Sequence, residues 1–155
     1  MIGAFWYSKG NPFWMMSGGL AGIFICAGGL DIWYPGFAFI LGVIAGIVII
    51  PANNFLHNTF KIDDCVGAVS IHGVCGILGM VAVGVFAAGY PAAGDIPPTS
   101  FMGQLMSAIV MALVGFVPGY VISFIMKQAN WLRVPDAVQK AGIDKAELGL
   151  QAYHN

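Results

Sequence analysis

The chain has 155 residues, 59% hydrophobic and 8% charged, with a formal net charge of -1 and a mean hydropathy of +0.84. A soluble domain carries about 25% charged residues, so there is too little charged surface here to cover a globule, and the composition is that of an integral membrane protein. The charge balance excludes nucleic-acid binding, which needs a basic patch or stripe, and the cysteines Cys26, Cys65 and Cys75 make no CxxC pair and read as small apolar residues, not a disulfide framework.

Met1 to Asn11 is short and aromatic, with Trp6, Tyr7 and one charge, Lys9. It lacks the apolar core and cleavage site of a signal peptide and reads as the tail end of an apolar segment whose beginning is missing. Asn11-Pro12 then opens a first full span, about 13–29, with Asn as cap and Pro at the first helical position. Gly18 and Gly22 stand four apart, a small-xxx-small face through which membrane helices approach closely. Leu30 to Pro35 is a turn with the interfacial aromatics Trp33 and Tyr34.

A second span, about 36–51, ends at Pro51 and carries Gly42 and Gly46, again four apart. It is short for the roughly 20 residues a helix needs to cross. Ala52 to Lys61 reads as a polar loop. A third span, 64–88, follows the pair Asp63-Asp64, with Gly76 and Gly79 as packing positions. Pro91, Asp95, Pro97 and Pro98 mark a loop before the fourth span, 101–126, in which Pro118 predicts a kink. The expectation is an all-α polytopic membrane domain over 1–130 and a soluble tail over 131–155.

Four spans put the N-terminus, the 52–61 stretch and the tail on one side. All six cations, Lys9, Lys61, Lys127, Arg133, Lys140 and Lys145, fall there, while the opposite loops carry Asp31 and Asp95. The positive-inside rule makes the tail cytoplasmic.

His72 is the residue most open to chemistry. An ionisable side chain at membrane depth is by default a functional-site hypothesis. A neutral imidazole keeps one donor and one acceptor, so it could line a path for a small polar solute or a proton, or simply hydrogen-bond a neighbouring helix. Asp63 and Asp64 sit where a helix N-cap belongs. Asp63 is taken as the cap and Asp64 as a group meeting a cation at the cytoplasmic mouth. Eight residues, about 12 Å and about 80° around a helix, separate Asp64 from His72, so the two could line one path without touching. His72 and Cys75 are three apart, but two ligands without a third make no metal site. His57 and His154 read as solvated. No nucleophilic triad or phosphate-cradling glycine loop occurs, so neither an enzyme nor a cofactor is expected.

Asp63-Asp64-Cys65 followed by Ile71-His72-Gly73-Val74-Cys75-Gly76-Ile77-Leu78-Gly79 closely resembles the signature of the ammonium transporter (Amt/Mep/Rh) family around the second of its paired pore histidines. Ser17 to Gly22 resembles that family's preceding glycine-rich helix. Leu132-Arg133-Val134-Pro135 and Gly142 through Glu147, Gly149, Ala152 and Tyr153 resemble its cytoplasmic C-terminal segment. Gly67 stands where the family often has an acid, and Leu148 where it usually has histidine.

The resemblance implies an ammonium channel or transporter of the plasma or bacterial inner membrane. Subunits in that family have eleven helices, built as inverted repeats, and usually form a homotrimer. This chain resembles the C-terminal portion, from the end of the seventh helix through the eleventh and the tail. His72 then takes the place of one pore histidine and Asp64 that of the acid at the start of the tenth helix. The substrate would be ammonium, ammonia or methylammonium, and a nitrogen-signalling regulatory protein would meet the tail. The alternative is a truncated or split, non-conducting subunit that only associates with others.

Overall fold

The computed structural model describes residues 1–91 and 94–149; the tail residues Ala152, Tyr153 and His154 lie outside the described residues. Every regular element among the described residues is helical: α1 (Ile2–Ser8), α2 (Pro12–Cys26), α3 (Pro35–Phe55), α4 (Cys75–Phe86), α5 (Phe101–Gln128), α6 (Asp136–Ala141) and α7 (Ile143–Leu148). Four stretches are long and apolar enough to cross a membrane, namely Pro12–Gly29, Pro35–Phe60, Val69–Phe86 and Phe101–Gln128. That count agrees with the one read from hydropathy, and the chain is an all-α, multi-pass membrane protein. It divides into two compact units, Met1–Ala112 and Leu113–Asn155.

In the first unit the carboxamide oxygen of Asn11 accepts from the backbone N–H of Phe13 (3.0 Å) and Trp14 (3.4 Å). Pro12 has no N–H to leave unmatched there, so the start of α2 is satisfied. The glycine pairs then bring α2 and α3 together. A methyl at Gly22 would stand 3.4 Å from the Gly42 Cα, and one at Gly18 would stand 3.4 Å from the Gly46 Cα. Residue number rises along one helix as it falls along the other, so α2 and α3 run antiparallel. Ala4 of α1, fully buried, fills the gap where a methyl at Gly18 would meet its Cβ at 2.5 Å. Gly79 brings α4 against the backbone carbonyl of Ile25. Lipid is as apolar as leucine, so close backbone approach, not expulsion of water, holds such helices together.

The second span is longer than the 36–51 read from the sequence. α3 passes through Pro51 to Phe55 and continues as a widened, π-type turn over Leu56–Phe60. Pro51 removes one hydrogen-bond donor, but a membrane helix tolerates that when local readjustment satisfies the freed carbonyl. The polar residues Asn53, Asn54, His57 and Asn58 are therefore helical and not part of a loop. Lys61 ends the turn in a left-handed conformation, its N–H on the carbonyl of Leu56. The third span starts later than expected: residues 61–67 are irregular and helix begins at Ala68.

In the second unit α5 runs on through Pro118 without interruption to Gln128, followed by the short helices α6 and α7.

Candidate functional site

The site is built from the loop that precedes the third span. Gly67 takes φ +74°, a left-handed conformation that glycine adopts without a Cβ clash. This turns the chain so that Asp64 reaches forward over the next helical turn. Its carboxylate Oδ2 accepts from the backbone N–H of Val69 (3.0 Å) and Ser70 (3.2 Å), with the Ser70 hydroxyl at 3.4 Å. The Asp64 carbonyl accepts from the Asn53 carboxamide of α3 at 3.3 Å. Helix N-termini leave N–H groups unpaired, and an anion there also meets the positive end of the dipole.

The cap expected of Asp63 thus falls to Asp64, one residue later, because the helix itself starts later. Asp63 is exposed and accepts none of the capping bonds.

The turn so anchored, Val69–Val74, is a second widened, π-type turn, and His72 lies inside it. Such turns occur disproportionately at functional sites because they re-aim side chains. Here Ser70, Ile71 and Cys75 are buried, whereas His72 is exposed. Its ring lies edge to face with that of Phe24 on α2, the centroids 4.0 Å apart at 64°. Both rings line a cavity of about 530 Å³ whose other walls include Gly76, Ile77, Met80, Ala108 and Met111.

Apart from the imidazole, every side chain on that wall is apolar, so among the described residues His72 supplies its one polar side chain. A methyl at Gly76 would meet nothing within 4 Å, so this glycine borders the cavity and is not a helix contact like Gly18, Gly22, Gly42, Gly46 and Gly79. A larger cavity, about 980 Å³, lies between the loops carrying Asp31 and Tyr90, and no imidazole lines it among the described residues.

Asp64 does not line the cavity that His72 lines. Cys75 is fully buried on the core side while His72 faces the cavity, so the two do not converge on a metal. Among the described residues no group of three His, Cys, Asp or Glu side chains comes together. Sequence reading missed Phe24, one aromatic among many in an apolar span. It also missed Asn53 and Ser70, whose polar side chains were the available signal.

A family model described as Ammonium Transporter Family matches residues 2–153. The chain is 31% identical to the ammonium transporter Amt1 of Methanocaldococcus jannaschii over 99% of its own length and 39% of that protein's. It is 30% identical to Amt1 of Haloferax mediterranei over 94% of the chain and 27% of the relative. With ammonium transporter 1 member 1 of Solanum lycopersicum it shares 30% identity over 90% of the chain and 31% of the relative. The chain therefore spans well under half the length of these relatives. No solved structure matches it at a significant level.

Proposed function

This chain belongs to the Ammonium Transporter Family, and we propose that it forms part of a transmembrane path for ammonium or ammonia, with His72 on the wall of that path. The observation that carries this reading is the placement of one imidazole on an otherwise apolar cavity wall. A charged group at the bilayer centre costs several kcal/mol or more. A dry, apolar lumen therefore favours loss of the proton at its mouth and passage of neutral ammonia. His72 supplies a hydrogen bond to the uncharged solute and a station for a separately handled proton.

Asp64 acts at the approach to this path by holding the turn that presents His72. Its carboxylate is already engaged by backbone donors, so its contribution to the path is positional first and electrostatic second. The one-sided distribution of the six cations supports a cytoplasmic tail over 131–155 and a membrane domain over 1–130 in the cell membrane. The family resemblance supports a homotrimer and a nitrogen-signalling regulator at the tail.

The test is His72→Ala in an assembly containing the whole path, read as methylammonium uptake and ammonium-dependent current. Either transport or its selectivity should change. Unchanged uptake and unchanged current at equal expression would sink the assignment.

A further inference from the structure

We propose that the cavity between the Asp31 and Tyr90 loops binds a small organic cation with an alkylated, quaternary ammonium group. All of its lining residues belong to the first unit. None of them lines the His72 cavity, and the inference goes beyond ammonium transport. Phe86, which lines this cavity, lies roughly 20 Å of helix beyond His72, at the opposite end of the third span.

Both loops are held in shape before any ligand arrives. The N–H groups of Ile32 (3.1 Å) and Trp33 (2.9 Å) donate to the Gly29 carbonyl. The Trp33 indole lies so close over Gly29 that a methyl there would stand 2.5 Å from its ring. On the other side Gly89 takes φ +83°. Its N–H donates to the Thr99 carbonyl (2.7 Å), and the Thr99 N–H donates back to the Tyr90 carbonyl (3.0 Å). Trp33 meets Phe37 edge to face at 5.5 Å, and Phe37 meets Phe86 at 4.9 Å. The rings thus form a row from the turn across α3 to the end of α4. A site built in advance spares a ligand the cost of ordering it.

Charge points the same way. Asp31 is exposed, and no Lys, Arg or His accompanies it in the lining. α4 ends at Phe86 and adds the negative end of its dipole. The start of α3 opposes this, but Pro35 has no N–H, and those of Phe37 and Ala38 already donate to the Tyr34 carbonyl (3.0 and 3.1 Å).

The aromatic share selects the kind of cation. Ammonium needs hydrogen-bond acceptors on every side, and the side-chain acceptors here are one carboxylate and two phenols around about 980 Å³. One water takes about 30 Å³, so a bare ammonium would leave most of that space to water. Methyl groups on a quaternary nitrogen donate no hydrogen bond and rest on ring faces, best of all on Trp. Trp33, Tyr34, Phe37, Phe86 and Tyr90 supply the rings. Tyr34, 85% exposed, and Asp31 stand in the turn outside the spans, within reach of a soluble cation.

The experiment titrates choline into the purified full assembly in maltoside detergent, followed by calorimetry, with the neutral isostere 3,3-dimethylbutanol as control. Choline should bind saturably and the alcohol should not. Asp31→Asn should weaken choline by up to about fivefold, as loss of an exposed ion pair does. Tyr90→Leu should weaken it about 2- to 5-fold through the lost ring face, whereas Tyr90→Phe should retain most of the affinity, which separates the ring from folding. Asp95→Asn, which removes the other acid on that side, should leave binding intact.

Equal binding of the neutral alcohol would overturn the cation site, as would no weakening by Asp31→Asn or equal weakening by Asp95→Asn. Displacement of choline by equimolar ammonium would overturn the organic cation as ligand. Displacement by added phosphatidylcholine would overturn a soluble cation in favour of a lipid headgroup.

Discussion

The rings of Phe24 and His72 meet edge to face across two helices, their centroids 4.0 Å apart. Phe24 stands on α2 and His72 in the widened turn ahead of α4, so the contact fixes the imidazole relative to a second span. Aromatic pairs of this kind are worth about 0.5–1.5 kcal/mol beyond burial. Phe24→Leu removes the aromatic edge and keeps an apolar side chain on the wall. Methylammonium uptake by the whole assembly should fall by about 2- to 10-fold, since that energy no longer holds the ring in place. The thermal midpoint in detergent should move little. Normal uptake in Phe24→Leu would mean that the ring orientation is held by other contacts.

Asp64 and Asp63 separate cleanly by their bonds. Asp64→Ala removes the acceptor for two backbone N–H groups and should destabilise the protein by about 1 kcal/mol, within the usual range for a lost cap. Asp64→Asn keeps an acceptor oxygen and should recover part of that. Asp63→Ala, at an exposed position without a capping bond, should be close to neutral. Denaturant or thermal unfolding in detergent decides it, and equal losses at the two positions would show that the cap is wrongly placed.

Glycines divide into two kinds by what a methyl would meet. At Gly18 it would meet the Ala4 Cβ at 2.5 Å, and at Gly46 the Ala4 backbone nitrogen at 2.9 Å. Alanine at either position must push α1 away, an overpacking cost of about 1–3 kcal/mol. Gly76→Ala meets nothing and should fold normally, yet it adds a methyl to the cavity wall beside His72. The expected signature is a lowered unfolding midpoint with Gly18→Ala, and a normal midpoint with reduced uptake for Gly76→Ala. A normal midpoint for Gly18→Ala would contradict the close packing of α1, α2 and α3.

Hydropathy alone made the four spans legible, and Asn11-Pro12 marked the start of α2 correctly. The paired spacings at Gly18/Gly22 and Gly42/Gly46 announced the contact between α2 and α3, because only small residues let backbones approach closely in lipid. The end of the second span was misread at Pro51 and the asparagines after it. Pro and polar residues stop helices in water, but in a membrane the backbone must still satisfy itself internally, and the helix continues. The widened turn around His72 left no mark in the sequence, since no residue type within Val69–Val74 dictates a slip in the hydrogen-bond ladder. His72 stood out because an ionisable residue in an apolar run is rare; Phe24 did not, because aromatics there are common.

The last prediction concerns the chain by itself. His72 is exposed among the described residues, and the cavity wall it shares is drawn from α2, α4, α5 and their adjoining turns. A conducting path for a small polar solute needs a wall on every side, because a polar solute facing lipid loses its hydrogen bonds. The relatives named above are about two and a half to four times longer than the part this chain matches, as the 39% and 27% coverages state. Purified chain alone in liposomes should therefore give no ammonium flux above that of empty liposomes, measured by an internal pH dye after an ammonium pulse. Co-reconstitution with a polypeptide supplying the rest of the path should restore a saturable flux that His72→Ala alters. Robust saturable flux from the chain alone would show that its copies close the path between themselves, and would remove the need for any further wall.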